Sequence, residues 1–211
     1  MVSIKGHHYT CPVCKASLTG PSRPLSTSVL KRRTDLKPIT SHGPICGGII
    51  FCGACGYAGF HTDFEEVSAH VITKVRQYLT KRAPAVQGEA DKYIHAAKCA
   101  QWLGKPDHII GELWLAASWY AGERSHRAGK LRNNAIFFFE RGFMKSSIPT
   151  NKRSIFCYLT GELYRRNNDM LSARMWFTRV PDEVLNENQD KYIQLAQQQL
   201  TKPKEYIEST G

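Results

Sequence analysis

Two short cysteine turns decide most of what this chain can fold into. Cys11-Pro12-Val13-Cys14, near the start, is matched by Cys52-Gly53-Ala54-Cys55. A two-residue gap lets both thiolates of one turn face a single ion while backbone N–H groups of the turn hydrogen-bond the sulfurs. Two such turns supply four sulfurs, the tetrahedral set that a structural Zn²⁺ accepts at about 2.3 Å. The doubled spacing argues against paired disulfides or scattered core thiols. Gly56 adds to the case, because the residue after the second cysteine of such a turn needs a left-handed backbone that costs glycine least. Lys15 holds the equivalent place after Cys14, so the first turn is the less regular one. The expectation is one structural zinc ion held by Cys11, Cys14, Cys52 and Cys55, with every position filled and none left open for catalysis. Cys46, His7 and His8 stand close enough in sequence to replace a ligand. Cys46 otherwise reads as a packed thiol, and the histidines as a solvated pair.

Seven cysteines are an odd number, and four of them are spoken for by the metal, which places the chain in a reducing compartment, the cytoplasm. No N-terminal stretch has the apolar centre of a signal peptide, and no run approaches the roughly 20 apolar residues of a membrane span, so no membrane insertion is expected. Residues 136–139 are apolar but are closed at once by Glu140 and Arg141. With 42% hydrophobic and 22% charged residues, the chain can bury an ordinary globular core. The net charge of +11 permits a nucleic acid or another polyanion as partner without diagnosing one.

Around the cysteines the pattern is that of a small β module. Residues 18–24 are rich in turn formers. Residues 26–33 alternate β-branched and polar side chains and read as a strand ending in Lys31-Arg32-Arg33. That triplet reads as a solvated strand end, with phosphate contact as the alternative. Pro38 and Gly43-Pro44 place a loop, and residues 47–51 form a β-rich run straight into Cys52, which together give the layout of a zinc ribbon. Thr62-Asp63-Phe64-Glu65 has the form of a capping box. It predicts a helix carrying Phe64, Val67, Val71, Val75, Tyr78 and Leu79 on one face, stopped by Lys81, Arg82 and Pro84. Residues 83–88 make a natural hinge, which divides the chain into a zinc-ribbon domain with a trailing helix, 1–85, and a helical domain, 86–211.

Beyond the hinge the period is helical throughout. Ala90, Ile94, Ala97, Ala100 and Leu103 form one stripe, and Ile109, Ile110, Leu113, Trp114, Ala117 and Tyr120 a second. Further helices are expected at about 127–145, 152–167, 170–180 and 188–200. Short polar connections argue for antiparallel hairpins side by side. Gly161, Tyr164, Ala173 and Phe177 follow the small–aromatic–small–aromatic skeleton of a tetratricopeptide hairpin, a repeat of about 34 residues. Ala117, Tyr120, Ala135 and Phe139 echo it upstream across a longer loop. The fold class is therefore α+β, a zinc-ribbon β module followed by an all-α, tetratricopeptide-like domain.

With both halves in view, the chain resembles a bacterial domain-of-unknown-function family with an N-terminal CxxC…CxxC ribbon and a tetratricopeptide-like C-terminal half. The residues that carry the resemblance are Thr10-Cys-Pro-Val-Cys14, Arg33-Thr-Asp-Leu-Lys-Pro38 and Cys52-Gly-Ala-Cys-Gly-Tyr-Ala58 with Asp63-Phe64. Leu159-Thr-Gly-Glu-Leu-Tyr-Arg-Arg166 and Ala173-Arg-Met-Trp-Phe177 complete it. Gly53, where the family often has proline, and Ile45-Cys46, where it is more aromatic, depart from the pattern and leave the ligands intact. The resemblance implies this architecture and one zinc, and no activity.

Three functions compete. Stacked hairpins form extended surfaces, which suits an adaptor that binds a protein partner through its helical half, with Trp102, Trp119 and Trp176 as candidate groove residues. A nucleic-acid binder would use Lys31, Arg32, Arg33, Lys130, Arg132, Lys152 and Arg153 against phosphates. An enzyme finds no support: there is no Gly-rich phosphate loop, HExxH, GxSxG or carboxylate pair, and Cys99 and Cys157 read as core thiols. The adaptor is the favoured expectation, with nucleic acid second and no catalysis.

Overall fold

The computed structural model describes residues 6–21, 29–40 and 48–207. Cys46 lies outside them. Strand β1 (Gly6–Thr10) pairs antiparallel with β2 (Ser17–Pro21), and β5 (Ile50–Phe51) with β6 (Ala58–Gly59). Each hairpin is closed by one cysteine turn. A third sheet has the order β4-β3-β7, from β3 (Val29–Arg33), β4 (Pro38–Thr40) and β7 (Tyr206–Ile207). The end of the described chain therefore returns to pair with its N-terminal part.

The loop expected over 18–24 is thus a strand as far as Pro21, and Pro38 starts a strand where a loop was expected. The capping box at Thr62 does not start a helix either. Residues His61–Phe64 form a single 3₁₀ turn, because Asp63 is committed to the ribbon. Its carboxylate accepts from Phe60 N–H at 3.0 Å and pairs with Lys105 at 2.5 Å. Its carbonyl accepts the Tyr57 hydroxyl at 2.6 Å. Helix α1 (Ala69–Tyr78) begins only after Ser68, whose hydroxyl accepts from Val71 N–H.

The remaining helices are α2 (Glu89–Trp102), α3 (Asp107–Tyr120), α4 (His126–Met144), α5 (Arg153–Arg166), α6 (Met170–Arg179) and α7 (Asp190–Thr201). They run within two residues of the ends expected from periodicity. Their apolar stripes build one continuous core with Phe139, Phe156, Tyr158 and Phe177 fully buried, and Ile49 and Ala58 of the ribbon join it. Gly161 and Ala173 sit at the close crossing of α5 and α6. A Cβ at Gly161 would lie 2.8 Å from the Phe177 ring and 3.2 Å from the Ala173 carbonyl. A second apolar cluster holds the cysteine turns against Tyr57, Val71, Val75, Leu79 and Cys99. Helix α2 borders both clusters, and His95 Nδ1 lies 2.8 Å from the Gly56 carbonyl.

Candidate metal centre and a buried ion-pair network

The two cysteine turns repeat one backbone pattern. Lys15 N–H donates to the Cys11 carbonyl and Cys11 N–H to that of Ala16, both at 2.9 Å. Gly56 to Cys52 and Cys52 to Tyr57 do the same at 2.8 Å. The residue after each second cysteine is left-handed, Gly56 with φ +80° and Lys15 with φ +65°. These turns bring all four sulfurs within 4.8 Å of one another. Cys11 and Cys55 lie 3.6 Å apart, and Cys14 and Cys52 3.5 Å. A tetrahedral ion with bonds of about 2.3 Å requires sulfur separations of about 3.8 Å. Those two pairs need to open by only about two to three tenths of an ångström, and the other pairs, all within 4.8 Å, to close by at most about 1 Å.

Three of the thiols are displaced from their ordinary range, in opposite directions. The Cys11 thiol is drawn down to about 5, first by the Cys55 thiol it accepts from and also by the N–H groups of Cys14 and Val13. Cys52 and Cys55 move the other way, Cys52 because burial penalises its thiolate and Cys55 first because its thiol donates to Cys11. Four ionised sulfurs in this buried space need an ion between them. Cys99, the nearby thiol of α2, is pushed up to about 12 by burial and stays protonated. His7 and His8 are exposed on β1 and are not part of the cluster. The four-cysteine set is a possible metal site that brings the β1–β2 and β5–β6 hairpins together.

A second constellation went unread in the sequence. The turn after β3 meets the C-terminal end of α5, so that two of the segments carrying the family resemblance come together. Glu162 is fully buried. Its carboxylate accepts from the Thr34 hydroxyl at 2.6 Å, from Arg166 Nε at 2.7 Å and from Arg165 at 2.8 and 2.9 Å. The Tyr158 hydroxyl donates to the Thr34 carbonyl at 2.8 Å. Arg33 holds Asp35 through two bonds of 3.1 and 2.6 Å and reaches Glu123 at 3.0 Å. Arg166 extends to Glu123 at 2.6 Å and to Glu205 at 2.9 Å. Burial alone would raise the Glu205 carboxyl, but Arg166 and Arg165 hold it below the usual range. The available signal was phase: Leu159, Glu162, Leu163 and Arg166 lie on one helical face, which puts a carboxylate in the core stripe with arginines beside it.

The basic residues proposed for phosphate contact are divided by the fold. Arg33 and Arg132 are buried, and Arg153 holds Glu183 at 2.6 and 3.0 Å. Lys31 lies 4.0 Å over the Tyr206 ring, while Arg32, Lys130 and Lys152 are exposed. The triplet is therefore not a uniformly solvated strand end, since its third member faces inward to Asp35. Trp102, Trp119 and Trp176 are half-buried. Trp102 stacks on Tyr78, Trp176 packs against Phe143, and Trp119 borders the main core. Cys157 is fully buried, as a core thiol should be.

A family model described as "Uncharacterized protein conserved in bacteria (DUF2225)" matches residues 4–202. No curated protein and no solved structure matches the chain.

Proposed function

The chain belongs to this bacterial family, and we propose that it is a zinc-stabilised adaptor, without catalytic activity, that binds a protein partner through a tetratricopeptide-like helical half. In this reading residues 1–85 are the metal-dependent module and residues 86–211 the binding half. The zinc ion is held by Cys11, Cys14, Cys52 and Cys55 and supplies folding energy to the ribbon. Thiolate ligands select soft or borderline ions, and four of them in a closed shell favour Zn²⁺ over the hard cations.

The observation that carries the adaptor reading is the outward face of α6. Leu171 and Met175, one helical turn apart, are 76% and 66% exposed, with Met170 beside them. Apolar side chains grouped on one helix face mark an interaction surface, and methionine adapts to irregular partners. The test is affinity capture from the native cytoplasm with two baits, the wild-type chain and Leu171→Asp/Met175→Asp, each with and without nuclease. A defined protein should bind the first bait, survive nuclease and be lost from the second. The exposed substitutions should leave the fold within about 0.5 kcal/mol of wild type. An identical protein set on both baits, or one released by nuclease, would refute the reading.

A further inference from the structure

Around the buried network Arg33, Arg124, Arg132, Arg165 and Arg166 outnumber the carboxylates Asp35, Glu123, Glu162 and Glu205. A cavity of about 660 Å³ opens between the α3–α4 connection, the end of α5 and the chain near β7. Four arginines line it: Arg124, Arg132, Arg165 and Arg166. A neighbouring cavity of about 410 Å³ shares Arg124, Arg132 and Arg166 and reaches the first turn of α4 at Ser125. The first turn of α4 adds partial positive charge there, its Ala128 N–H already held by the Ser125 hydroxyl. Asp169 at the far rim is engaged by Ser172 as the cap of α6.

Arg132 is the residue that asks for a ligand. It is only 7% exposed, yet among the described residues no carboxylate forms an ion pair with it. Its guanidinium donates to neutral oxygens alone: Asn167 Oδ1 at 2.6 Å and the carbonyls of Glu123 and Arg166 at 3.2 and 3.4 Å. Burial and the nearby Arg166 and Arg33 oppose its charge, and Asp35 and Glu123, neither in contact with it through a carboxylate, offset them only in part. A buried cation without a counter-charge is costly unless an anion joins it. Arg124 is exposed and makes no hydrogen bond or ion pair among the described residues.

The carboxylates present fall into two layers. Glu162 and Asp35 are fixed inside. Glu123 and Glu205, with side chains 45% and 53% exposed, reach in from the rim to cover the outer N–H groups of Arg33, Arg165 and Arg166. Rotation of either side chain into solvent frees those donors without disturbing the inner layer.

We propose that this cavity binds a small phosphate-bearing ligand, whose oxygens take the places of the Glu123 and Glu205 carboxylates and give Arg132 and Arg124 the contacting anion that neither has among the described residues. Guanidinium forks match phosphate oxygens bidentately, and a group carrying nearly two negative charges suits several arginines better than one carboxylate does. The cavity volume falls within the range of small-ligand sites.

The test titrates the zinc-loaded full chain with inorganic phosphate and pyrophosphate by calorimetry and thermal shift, against chloride at matched ionic strength. Pyrophosphate should saturate one site per chain and raise the melting temperature. Arg124→Ala, an exposed change, should weaken it about tenfold while leaving the free protein's melting temperature unchanged. Glu123→Gln/Glu205→Gln should tighten it at least fivefold. Glu187→Gln/Glu65→Gln, exposed and remote but equal in charge change, should tighten it far less. Three results would overturn the proposal: no binding beyond the chloride control, equal tightening by both glutamine pairs, or insensitivity to Arg124→Ala. Binding of RNA or a phosphoserine peptide without any of pyrophosphate would overturn it too.

Discussion

Glu162→Gln tests the claim that the N-terminal strands and the helices are locked by one carboxylate. The substitution keeps size and shape and removes the charge that Arg165 and Arg166 face inside the protein. Their side chains are only 12% and 4% exposed, so water screens little of the loss. Removing one partner of a buried ion pair costs about 3–5 kcal/mol. Both arginines keep Glu205, and Arg166 keeps Glu123, which places the cost near the lower end, about 3 kcal/mol. In a chain of this length about 1 kcal/mol moves the melting temperature by roughly 2–4 °C, so a drop of roughly 6–12 °C is expected in calorimetry. Thr34→Val should cost about 1.5–3 kcal/mol, because Thr34 donates to a charged acceptor. The two residues are in contact across the halves, so urea denaturation of the double variant should show a coupling of about 1 kcal/mol or more. A Glu162→Gln cost below about 1 kcal/mol, or additivity of the pair within about 0.5 kcal/mol, would refute the argument.

The metal centre predicts about one zinc per purified chain by elemental analysis, with Cys52→Ser losing it; stoichiometric zinc retained in that variant would contradict the four-cysteine set. Lys15→Gly should stabilise the holo-protein by roughly 0.5 kcal/mol, because Lys15 holds φ +65° and glycine relieves more strain than its flexibility costs. Gly56→Ala should destabilise by about 1 kcal/mol or more, since it adds the left-handed penalty and places a Cβ 3.0 Å from the His95 ring and from Leu79. Urea midpoints of the two variants should move in opposite directions. Glu183 is held below its ordinary range first by the hydrogen bonds from Arg153, against the opposing effect of burial. Its folded value lies below its unfolded one, so its contribution is complete above about pH 4.3 and fades as pH falls through the folded value. Glu183→Gln should therefore flatten the acid limb of the stability–pH curve, and an unchanged limb would exclude this pair as a source of acid sensitivity.

What was legible in the sequence was what local chemistry determines. Cysteine spacing fixes a metal turn within four residues, and the helical stripes from Ala90 to Leu200 repeat often enough to set element type and ends. The β1–β2 hairpin was harder, because Leu18, Thr19 and Gly20 look like a loop until Tyr9, His8 and His7 pair with them. The capping box failed for a related reason. Thr62 and Glu65 satisfy the local rule, but Asp63 between them gains more from Phe60, Tyr57 and Lys105 than a helix start would give. Pairing between Arg33 and Tyr206 joins the end of the described chain to its N-terminal part, and no local pattern announces it. The ion-pair network is equally non-local. Thr34 and Glu162 are ordinary residues in their own segments, and their meaning appears only where the segments meet.

That meeting point also explains how one set of arginines can serve both stability and binding. An arginine cluster that only stabilised the fold would be neutralised by carboxylates held as firmly as itself. Here Glu162 and Asp35 meet that description, and Thr34 pins the inner layer by donating to Glu162 while accepting from Arg166 at 2.9 Å. Glu123 and Glu205 do not, since each remains about half exposed. Each is the outer partner of arginines that keep Glu162 or Asp35 inside, so releasing either carboxylate to solvent leaves none of them without a counter-charge. The freed N–H groups of Arg166 remain aimed by the inner layer, which is the preorganisation that anion recognition requires. Arg132, buried beside them without a carboxylate of its own, then gains most from the exchange. The turn after β3 thus braces the arginines from behind, through Thr34 and Asp35, where residues 33–38 and 159–166 meet.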